Sequence, residues 1–230
     1  MLQLPKVIGH RGAAAYAPEN TLESFREARR RGATWVETDV KLTADGVAIL
    51  MHDESLKRTM GMDRLVAETP RAELPAGVPT FEEAIALWGE LGLGCNVEIK
   101  PCPGREAETA RVAVDVLRRR WPVHLPPPLL SSFADESLAA AQAAAPQFAR
   151  ALLLDRFVKD WQQRAAAVGA AGINTNGKRL TAPWCCAIKQ AGLALGVYTI
   201  DDPAVARALV GMGVDCIITD APDVILAAVA

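Results

Sequence analysis

Short apolar runs alternate with longer segments of helical periodicity along the whole chain. The apolar runs predict eight strands, at residues 6–9, 35–40, 96–99, 129–132, 151–154, 172–175, 193–199 and 216–219. A turn signal at residues 43–46 precedes a further apolar run at 47–51, which predicts a hairpin strand pairing back on the second strand. The clearest helical segments are residues 21–31, 106–119, 135–145, 160–168 and 223–229. Eight short strands, each followed by a helix, favour an α/β fold of the (β/α)₈ TIM-barrel type over a doubly wound sheet.

Length and composition fit a single domain of this kind. The chain has 230 residues, of which 50% are hydrophobic and 23% are charged, so it can bury a sizeable core. Barrels of roughly 200–250 residues are common. Residues 54–79 are the least regular part of the sequence. We therefore expect one domain spanning residues 1–230, with a short insertion at 54–79 that covers the active-site end.

Net charge and the first residues limit the classes of partner. The formal net charge is −2, so we expect neither a nucleic-acid partner nor a membrane-surface footprint. No stretch approaches the ~18 consecutive apolar residues of a membrane span, which argues against membrane insertion. Residues 1–5 lead directly into the first strand without the features of a signal peptide, so we expect a cytoplasmic location. The five cysteines are irregularly spaced, as expected for reduced thiols in that compartment.

Ionisable residues gather at one end of the predicted strands. Active sites of (β/α)₈ barrels form at the carboxyl ends of the strands. The ionisable residues at those positions in the first half of the chain are His10, Arg11, Glu37, Asp39, His52, Glu98 and Lys100. Side chains alternate faces along a strand, so Glu37 and Asp39 point the same way, as do Glu98 and Lys100.

Three carboxylates inside a barrel mouth need a compensating cation, because barrel strands are buried on both faces. Glu37, Asp39 and Glu98 offer hard oxygen ligands, which suit one divalent metal ion of the class Mg²⁺, Ca²⁺ or Mn²⁺. The alternative is that neighbouring side chains neutralise the carboxylates in ordinary salt bridges. The candidates for those salt bridges are Arg11, Lys41 and Lys100.

Two of the three histidines flank these carboxylates. His10 and His52 can supply a general base and a general acid for displacement at phosphorus. Arg11 offers a planar fork for phosphate oxygens, and Lys100 offers a point charge. The third histidine, His124, lies beside a proline-rich loop, and we expect no catalytic role for it.

The same residues form part of an ordered set of motifs. The set comprises His10-Arg11-Gly12, Pro18-Glu19-Asn20-Thr21, Glu37-Thr38-Asp39-Val40, Asp45-Gly46, His52-Asp53, Arg58-Thr59, Glu98-Ile99-Lys100-Pro101, Leu130-Ser131-Ser132-Phe133, Val197-Tyr198-Thr199 and Asp215 through Asp220. It runs over nearly the whole chain and resembles the glycerophosphodiester phosphodiesterases, in particular their bacterial cytosolic branch. Any one tripeptide is weak evidence for a family, whereas the ordered set is specific to this one.

The resemblance implies a TIM barrel that hydrolyses glycerophosphodiesters, small molecules derived from phospholipid head groups, to glycerol 3-phosphate and an alcohol. It implies Glu37, Asp39 and Glu98 as ligands of one divalent metal ion, and His10 and His52 as the acid–base pair. Arg11 and Lys100 would lie near the phosphate, and we add Phe133 and Tyr198 at the strand ends as expected substrate contacts. The resemblance also suggests that the glycerol 2-hydroxyl attacks phosphorus to give a cyclic phosphate, with direct attack by water as the alternative.

Two features depart from the family pattern. Asp201 stands where the family often has asparagine, which changes a neutral donor into an acceptor. Residues 54–79 look shorter than the family's usual insertion, which helps to enclose the glycerol end of the substrate. The resemblance therefore defines the type of reaction better than it defines substrate selectivity. We expect Asp201 to have no catalytic role.

Three other interpretations compete with this one. Amidohydrolase barrels usually open with a His-x-His pair on the first strand, whereas this chain has His10-Arg11-Gly12. A phospholipase C-like barrel would need an apolar, membrane-facing rim, which residues 54–79 do not provide. A non-catalytic barrel relative would be expected to lack one or more of the two histidines and three carboxylates, and all five are present.

Overall fold

A computed structural model describes residues 2–230 of the chain. The strands are β1 (Val7–Gly9), β2 (Trp35–Leu42), β3 (Ala48–Leu50), β4 (Gly94–Ile99), β5 (Leu129–Ser132), β6 (Ala149–Leu154), β7 (Gly172–Asn176), β8 (Ala194–Tyr198) and β9 (Cys216–Thr219). The α-helices are α1 (Leu22–Arg30), α2 (Lys57–Met60), α3 (Phe81–Leu91), α4 (Glu106–Arg120), α5 (Asp135–Ala144), α6 (Trp161–Ala167), α7 (Ala182–Gln190), α8 (Pro203–Met212) and α9 (Pro222–Val229).

Eight of these strands run parallel and close into a barrel. β1 pairs with both β2 and β9, and this double pairing joins the two ends of the sheet. β3 lies outside the ring as the antiparallel partner of β2, as the hairpin pattern predicts. The predicted (β/α)₈ TIM barrel is therefore confirmed, and its strand boundaries differ from the predicted ones by only a few residues.

Apolar layers between the strands and the surrounding helices form the core. On one side, Trp88 of α3 packs edge-on against Phe25 of α1, with ring centroids 5.3 Å apart. Both side chains are fully buried. On the opposite side, Trp184 and Ile188 of α7 pack with residues of the later strands, including Leu195. Truncation of one such buried aromatic side chain typically costs about 3–5 kcal/mol of stability.

Residues 54–79 lie against the outer hairpin strand. They contain α2 and two short 3₁₀ turns, at Val66–Glu68 and Arg71–Glu73. Their buried apolar side chains form one cluster with β3, its flanks and a cysteine that follows β4. The cluster comprises Ile49, Met51, Leu56, Val66, Leu74, Val78 and Cys102. This attachment brings Arg58 of α2 to the carboxyl end of the barrel.

The helices and the cysteines bear on what the sequence predicts about membrane insertion and disulfide bonds. Within residues 2–230, the helices all lack the combination of length and apolar character that crossing a membrane demands. All five cysteines are free thiols, and Cys186 alone among them is exposed.

Candidate active site

The carboxyl ends of the barrel strands surround a cavity of about 260 Å³. Eight of the nine candidate residues named from the sequence line it: His10, Arg11, Glu37, His52, Glu98, Lys100, Phe133 and Tyr198. The ninth, Asp39, offers a carboxylate oxygen that lies within 4.8 Å of oxygens of Glu37 and Glu98. The structure therefore brings all nine candidates together in one place.

The three carboxylates are held on two neighbouring strands. In the register of β2 and β4, Asp39 lies opposite Glu98 and Glu37 lies opposite Asn96. All three acidic side chains are buried. Burial and the charge of Asp39 raise the pKa of Glu37 to about 8. The same two causes raise the pKa of Glu98. Ionisation of both Glu37 and Glu98 is therefore unfavourable here unless additional positive charge is present.

Asp39 is the best-compensated carboxylate of the cluster. Burial alone would raise its pKa, but the charges of Lys100 and Arg11 outweigh burial, so the pKa of Asp39 is lowered. Its oxygens lie 3.4 Å from Nζ of Lys100 and 3.3 Å from Nε of Arg11. The amide of Asn20 also donates to Asp39, at 2.8 Å.

The salt-bridge alternative accounts for only part of this cluster. Arg11 and Lys100 do pair with carboxylates, and Nζ of Lys100 lies 3.0 Å from Glu98. Lys41 was the third candidate for such a salt bridge, and that expectation is wrong. Its ammonium instead donates to the main-chain oxygen of Lys100, at 3.1 Å. Arg11 and Lys100 thus offset only part of the charge of the three carboxylates, whose hard oxygens fit a divalent metal ion.

The loop after β1 carries His10 and turns sharply at Arg11 and Gly12, which both have a positive φ. Arg11 has a φ of 49°, which is uncommon for a residue with a side chain. Gly12 follows with a φ of 94°. A Cβ atom at Gly12 would lie 2.0 Å from the hydroxyl of Ser24, so only glycine fits. That hydroxyl donates to the main-chain oxygen of Arg11, which ties the loop to α1.

His10 is oriented by a carboxylate from the end of β9. Its Nδ1 donates to Asp220 at 2.6 Å, which leaves Nε2 directed to the cavity, 3.9 Å from Glu37. Burial alone lowers the pKa of His10, but the hydrogen bond to Asp220 and the charge of Glu37 outweigh it. The pKa of His10 is therefore raised.

His52 has a similar partner but the opposite pKa shift. Its Nδ1 donates to Asp53 at 2.6 Å. Burial is the largest influence and lowers the pKa of His52, and the charge of Lys100 lowers it too. The charge of Asp39 and the hydrogen bond to Asp53 raise this pKa, but they do not outweigh burial. Two histidines whose pKa values are shifted apart suit one proton donor and one proton acceptor.

An arginine from residues 54–79 connects the His52 side of the site with the Arg11 side. Arg58 donates to Asp53 at 2.5 Å and to both oxygens of Glu19. Glu19 also accepts from Arg11 at 2.8 Å. These contacts form a continuous chain from His52 through Asp53, Arg58 and Glu19 to Arg11, and so fix the relative positions of His52 and Arg11.

The far wall of the cavity is aromatic. The rings of Phe133 and Tyr198 meet edge-on, with centroids 6.1 Å apart. The Tyr198 hydroxyl donates to the main-chain oxygen of Leu154, and burial raises the pKa of this phenol. Nζ of Lys100 lies 5.8 Å from the centre of the Phe133 ring. The aromatic wall can therefore contact the carbon atoms of a small ligand, while Arg11 and Lys100 on the charged side contact its phosphate.

Sequence reasoning assigned no role to several residues that organise the site. Asp53, Arg58 and Glu19 belong to quoted motifs, and Asp53 directly follows His52, which is a usable signal. Asp220 directly follows β9 at the carboxyl end of the barrel, but nothing in the sequence pairs it with His10. Asn96 faces the cavity two positions before Glu98, and strand alternation alone could have identified it.

Comparison with known proteins points to one family. The model of the glycerophosphoryl diester phosphodiesterase family matches residues 10–224. A glycerophosphodiester phosphodiesterase of Caldanaerobacter subterraneus subsp. tengcongensis is 28% identical over 96% of both chains. A glycerophosphodiester phosphodiesterase of Bacillus altitudinis shows the same identity and the same coverage.

Solved structures agree with the sequence matches. A phosphodiesterase of Oleispira antarctica, in complex with the product sn-glycerol-3-phosphate, has a TM-score of 0.95 at 37% identity. The match covers 98% of this chain and 97% of that one. A glycerophosphodiester phosphodiesterase of Agrobacterium tumefaciens has a TM-score of 0.80 at 31% identity, covering 97% of this chain and 100% of the other.

Proposed function

The chain belongs to the glycerophosphoryl diester phosphodiesterase family, and we propose that it hydrolyses glycerophosphodiesters to sn-glycerol 3-phosphate and an alcohol. The observation that carries this proposal is the grouping of three buried carboxylates, two histidines and two cations around one cavity. The product bound to the Oleispira antarctica relative supports the glycerol phosphate half of the substrate. Substrates of this kind arise from deacylated phospholipids, which would place the reaction in lipid and glycerol metabolism.

Glu37, Asp39 and Glu98 would hold one divalent cation of the class Mg²⁺, Ca²⁺ or Mn²⁺. Such a cation supplies positive charge that stabilises the phosphate oxygens as their charge increases. The raised pKa values of Glu37 and Glu98 support this assignment, because the charge of a cation would offset the burial and the Asp39 charge that raise them. The donor set consists of oxygens alone, which suits these ions better than zinc.

The remaining side chains would bind the phosphate and move protons. Arg11 and Lys100 would contact the non-bridging phosphate oxygens as charge shifts during the reaction. His52, whose pKa is lowered, would accept a proton from the attacking hydroxyl. His10, whose pKa is raised, would donate a proton to the departing alcohol. Phe133 and Tyr198 would line the side of the cavity that receives the carbon atoms of the substrate.

The attacking hydroxyl would be the 2-hydroxyl of the glycerol itself. Its oxygen forms a bond to phosphorus while the bond from phosphorus to the alcohol oxygen breaks, which gives a cyclic phosphate. An attached hydroxyl already lies close to phosphorus, so little translational entropy remains to be lost. Water then opens the ring, and the two histidines exchange roles. This exchange explains why the site would need both imidazoles.

A diester of 2-deoxyglycerol phosphate tests this route. We expect the analogue to bind and to turn over very slowly, because it has no hydroxyl to attack phosphorus. Accumulation of cyclic phosphate in a His10 or His52 variant would add direct support. Cleavage at a rate close to that of the normal substrate would show instead that water attacks directly.

A panel of phosphodiesters tests the substrate class. Glycerophosphocholine, glycerophosphoethanolamine and glycerophosphoglycerol should be hydrolysed, whereas intact phosphatidylinositol should not. Cleavage of the intact lipid with no action on the water-soluble diesters would favour the phospholipase C-like alternative. A cytoplasmic location stays a prediction.

A further inference from the structure

Four inward-facing side chains form the corners of a rectangle on β2 and β4. Glu37 lies opposite Asn96, and Asp39 lies opposite Glu98. Neighbouring strands are ~4.8 Å apart, and successive residues on one face are ~6.6 Å apart. Three corners are the carboxylates already assigned to the cation, and the fourth is Asn96.

The side chain of Asn96 is buried and incompletely bonded. It is only 1% exposed, yet it lines the same cavity as Glu37 and Glu98. Within residues 2–230, its side-chain oxygen Oδ1 is fully shielded and accepts no hydrogen bond. A buried acceptor without a donor is costly, so its partner is expected to arrive with whatever occupies the cavity.

We propose that Asn96 is a fourth side chain of the cation site and offers its neutral amide oxygen to the hydrated cation. Amide oxygens are regular partners of hard divalent ions. A neutral oxygen also suits this corner, because it adds a ligand without adding negative charge beside Glu37. The inference rests on the proposed function only in requiring that a divalent cation binds the carboxylates.

Cation affinity without substrate tests the role of Asn96. Mn²⁺ binding is measured by electron paramagnetic resonance on the wild-type protein and on Asn96→Leu, which keeps the branched shape of the side chain and removes the oxygen. We expect affinity to fall by about 10–100-fold, the usual effect of losing a supporting group at a metal site. Asn96→Asp, which restores an oxygen, should bind Mn²⁺ more tightly than Asn96→Leu.

Asn174→Leu is the matched control. Asn174 is also a buried barrel asparagine, 2% exposed, but it lies on β7. Its Nδ2 has no hydrogen-bond partner in the part of the chain that the structure describes. This variant should bind Mn²⁺ with wild-type affinity. A fall equal to that of Asn96→Leu would show that loss of any buried barrel amide is enough, which would overturn the proposal.

Stability in the presence of a chelator separates a cation contact from a structural role. Without cation, Asn96→Leu should be at least as heat-stable as the wild type, because it removes an unpaired buried acceptor. With Mn²⁺, its gain in melting temperature should be smaller. Wild-type affinity in folded Asn96→Leu would overturn the proposal. Failure to hydrolyse diesters, with Mn²⁺ binding intact, would instead contradict the proposed function alone.

Discussion

Nδ1 of His10 lies 2.6 Å from the carboxylate of Asp220, a residue 210 positions further along the chain. Asp220 is itself fixed, because its main-chain N–H donates to Asp201 at 2.8 Å. Asp201 also accepts from the Thr219 hydroxyl at 2.8 Å. The first and last strands of the barrel therefore orient His10 together, with Nε2 left free for the proposed proton transfer.

Neutralising Asp220 should change the pH dependence of hydrolysis in one direction. The hydrogen bond to Asp220 is the main influence that opposes burial and keeps the pKa of His10 raised. Asp220→Asn should therefore lower that pKa. If His10 must be protonated to donate to the alcohol, the alkaline limb of kcat/KM moves to lower pH. A pH–rate profile of the folded variant measures this shift, and an unmoved alkaline limb would remove Asp220 from this role.

The corresponding change at the other histidine is the control. Asp53 raises the pKa of His52 against the larger effect of burial. Asp53→Asn should lower the pKa of His52 further. Since His52 must be unprotonated to accept a proton, the acidic limb should then move to lower pH while the alkaline limb stays in place. Movement of the same limb in both variants would contradict the assignment of separate roles.

Removing either imidazole should affect turnover far more than binding. His10→Ala and His52→Ala should each lower kcat by about 10²–10⁴-fold, the usual range for lost acid–base catalysis. The double variant should lose much less than the product of the two effects, because both residues act in one proton-transfer sequence. Near-normal kcat in either folded variant would exclude that histidine from the mechanism.

Cation affinity should rise with pH up to about 8. The pKa of Glu37 is raised from 4.5 to about 8 in the cation-free fold, first by burial and then by the charge of Asp39. Between pH 4.5 and about 8, Glu37 retains a proton in the folded protein that it has released in the unfolded chain. The stability of the cation-free protein therefore falls as pH rises through this range. Cation binding must expel that proton.

Calorimetry in buffers of different ionisation enthalpy measures the expelled proton. We expect release of close to one proton per cation at about pH 6.5 and almost none at about pH 9.5. Glu37→Gln should reduce the release and weaken binding, and the remaining release would come from Glu98, whose pKa is also raised. Equal proton release at both pH values would show that Glu37 does not titrate with the cation.

Asp201→Asn should keep kcat within a few-fold of the wild type. Both hydrogen bonds that Asp201 receives end on the same oxygen, Oδ1, and an asparagine can present an equivalent oxygen. Asp201→Ala removes this acceptor and should lower the free energy of unfolding by about 1 kcal/mol. Measured kcat and chemical denaturation check the pair. A loss in Asp201→Asn comparable with that of the histidine variants would make Asp201 catalytic.

Strand periodicity was sufficient to predict the fold and to bring the carboxylates together. A period of two places Glu37 and Asp39 on one face of β2, and Glu98 and Lys100 on one face of their strand. These relations depend on backbone geometry alone, and for that reason the sequence could predict them. The register that sets Glu98 opposite Asp39 is visible only in the structure.

Contacts that depend on side-chain direction or on distant loops could not be predicted. Lys41 shares its face of β2 with Asp39, yet its ammonium turns to the main-chain oxygen of Lys100. The pairing of His10 with Asp220 requires the barrel to close, and no local pattern encodes it. Arg58 reaches Glu19 only because its segment packs against β3.

Release of sn-glycerol 3-phosphate from glycerophosphocholine by the purified protein tests the account most directly. With Mg²⁺, Mn²⁺ or Ca²⁺ present, we expect one glycerol phosphate and one choline per diester. Exhaustive chelation should abolish the reaction, and return of the cation should restore it. Glu98→Gln should remain folded and lower the rate by orders of magnitude. Full activity after exhaustive chelation, or no product from a folded protein that binds the cation, would contradict the account.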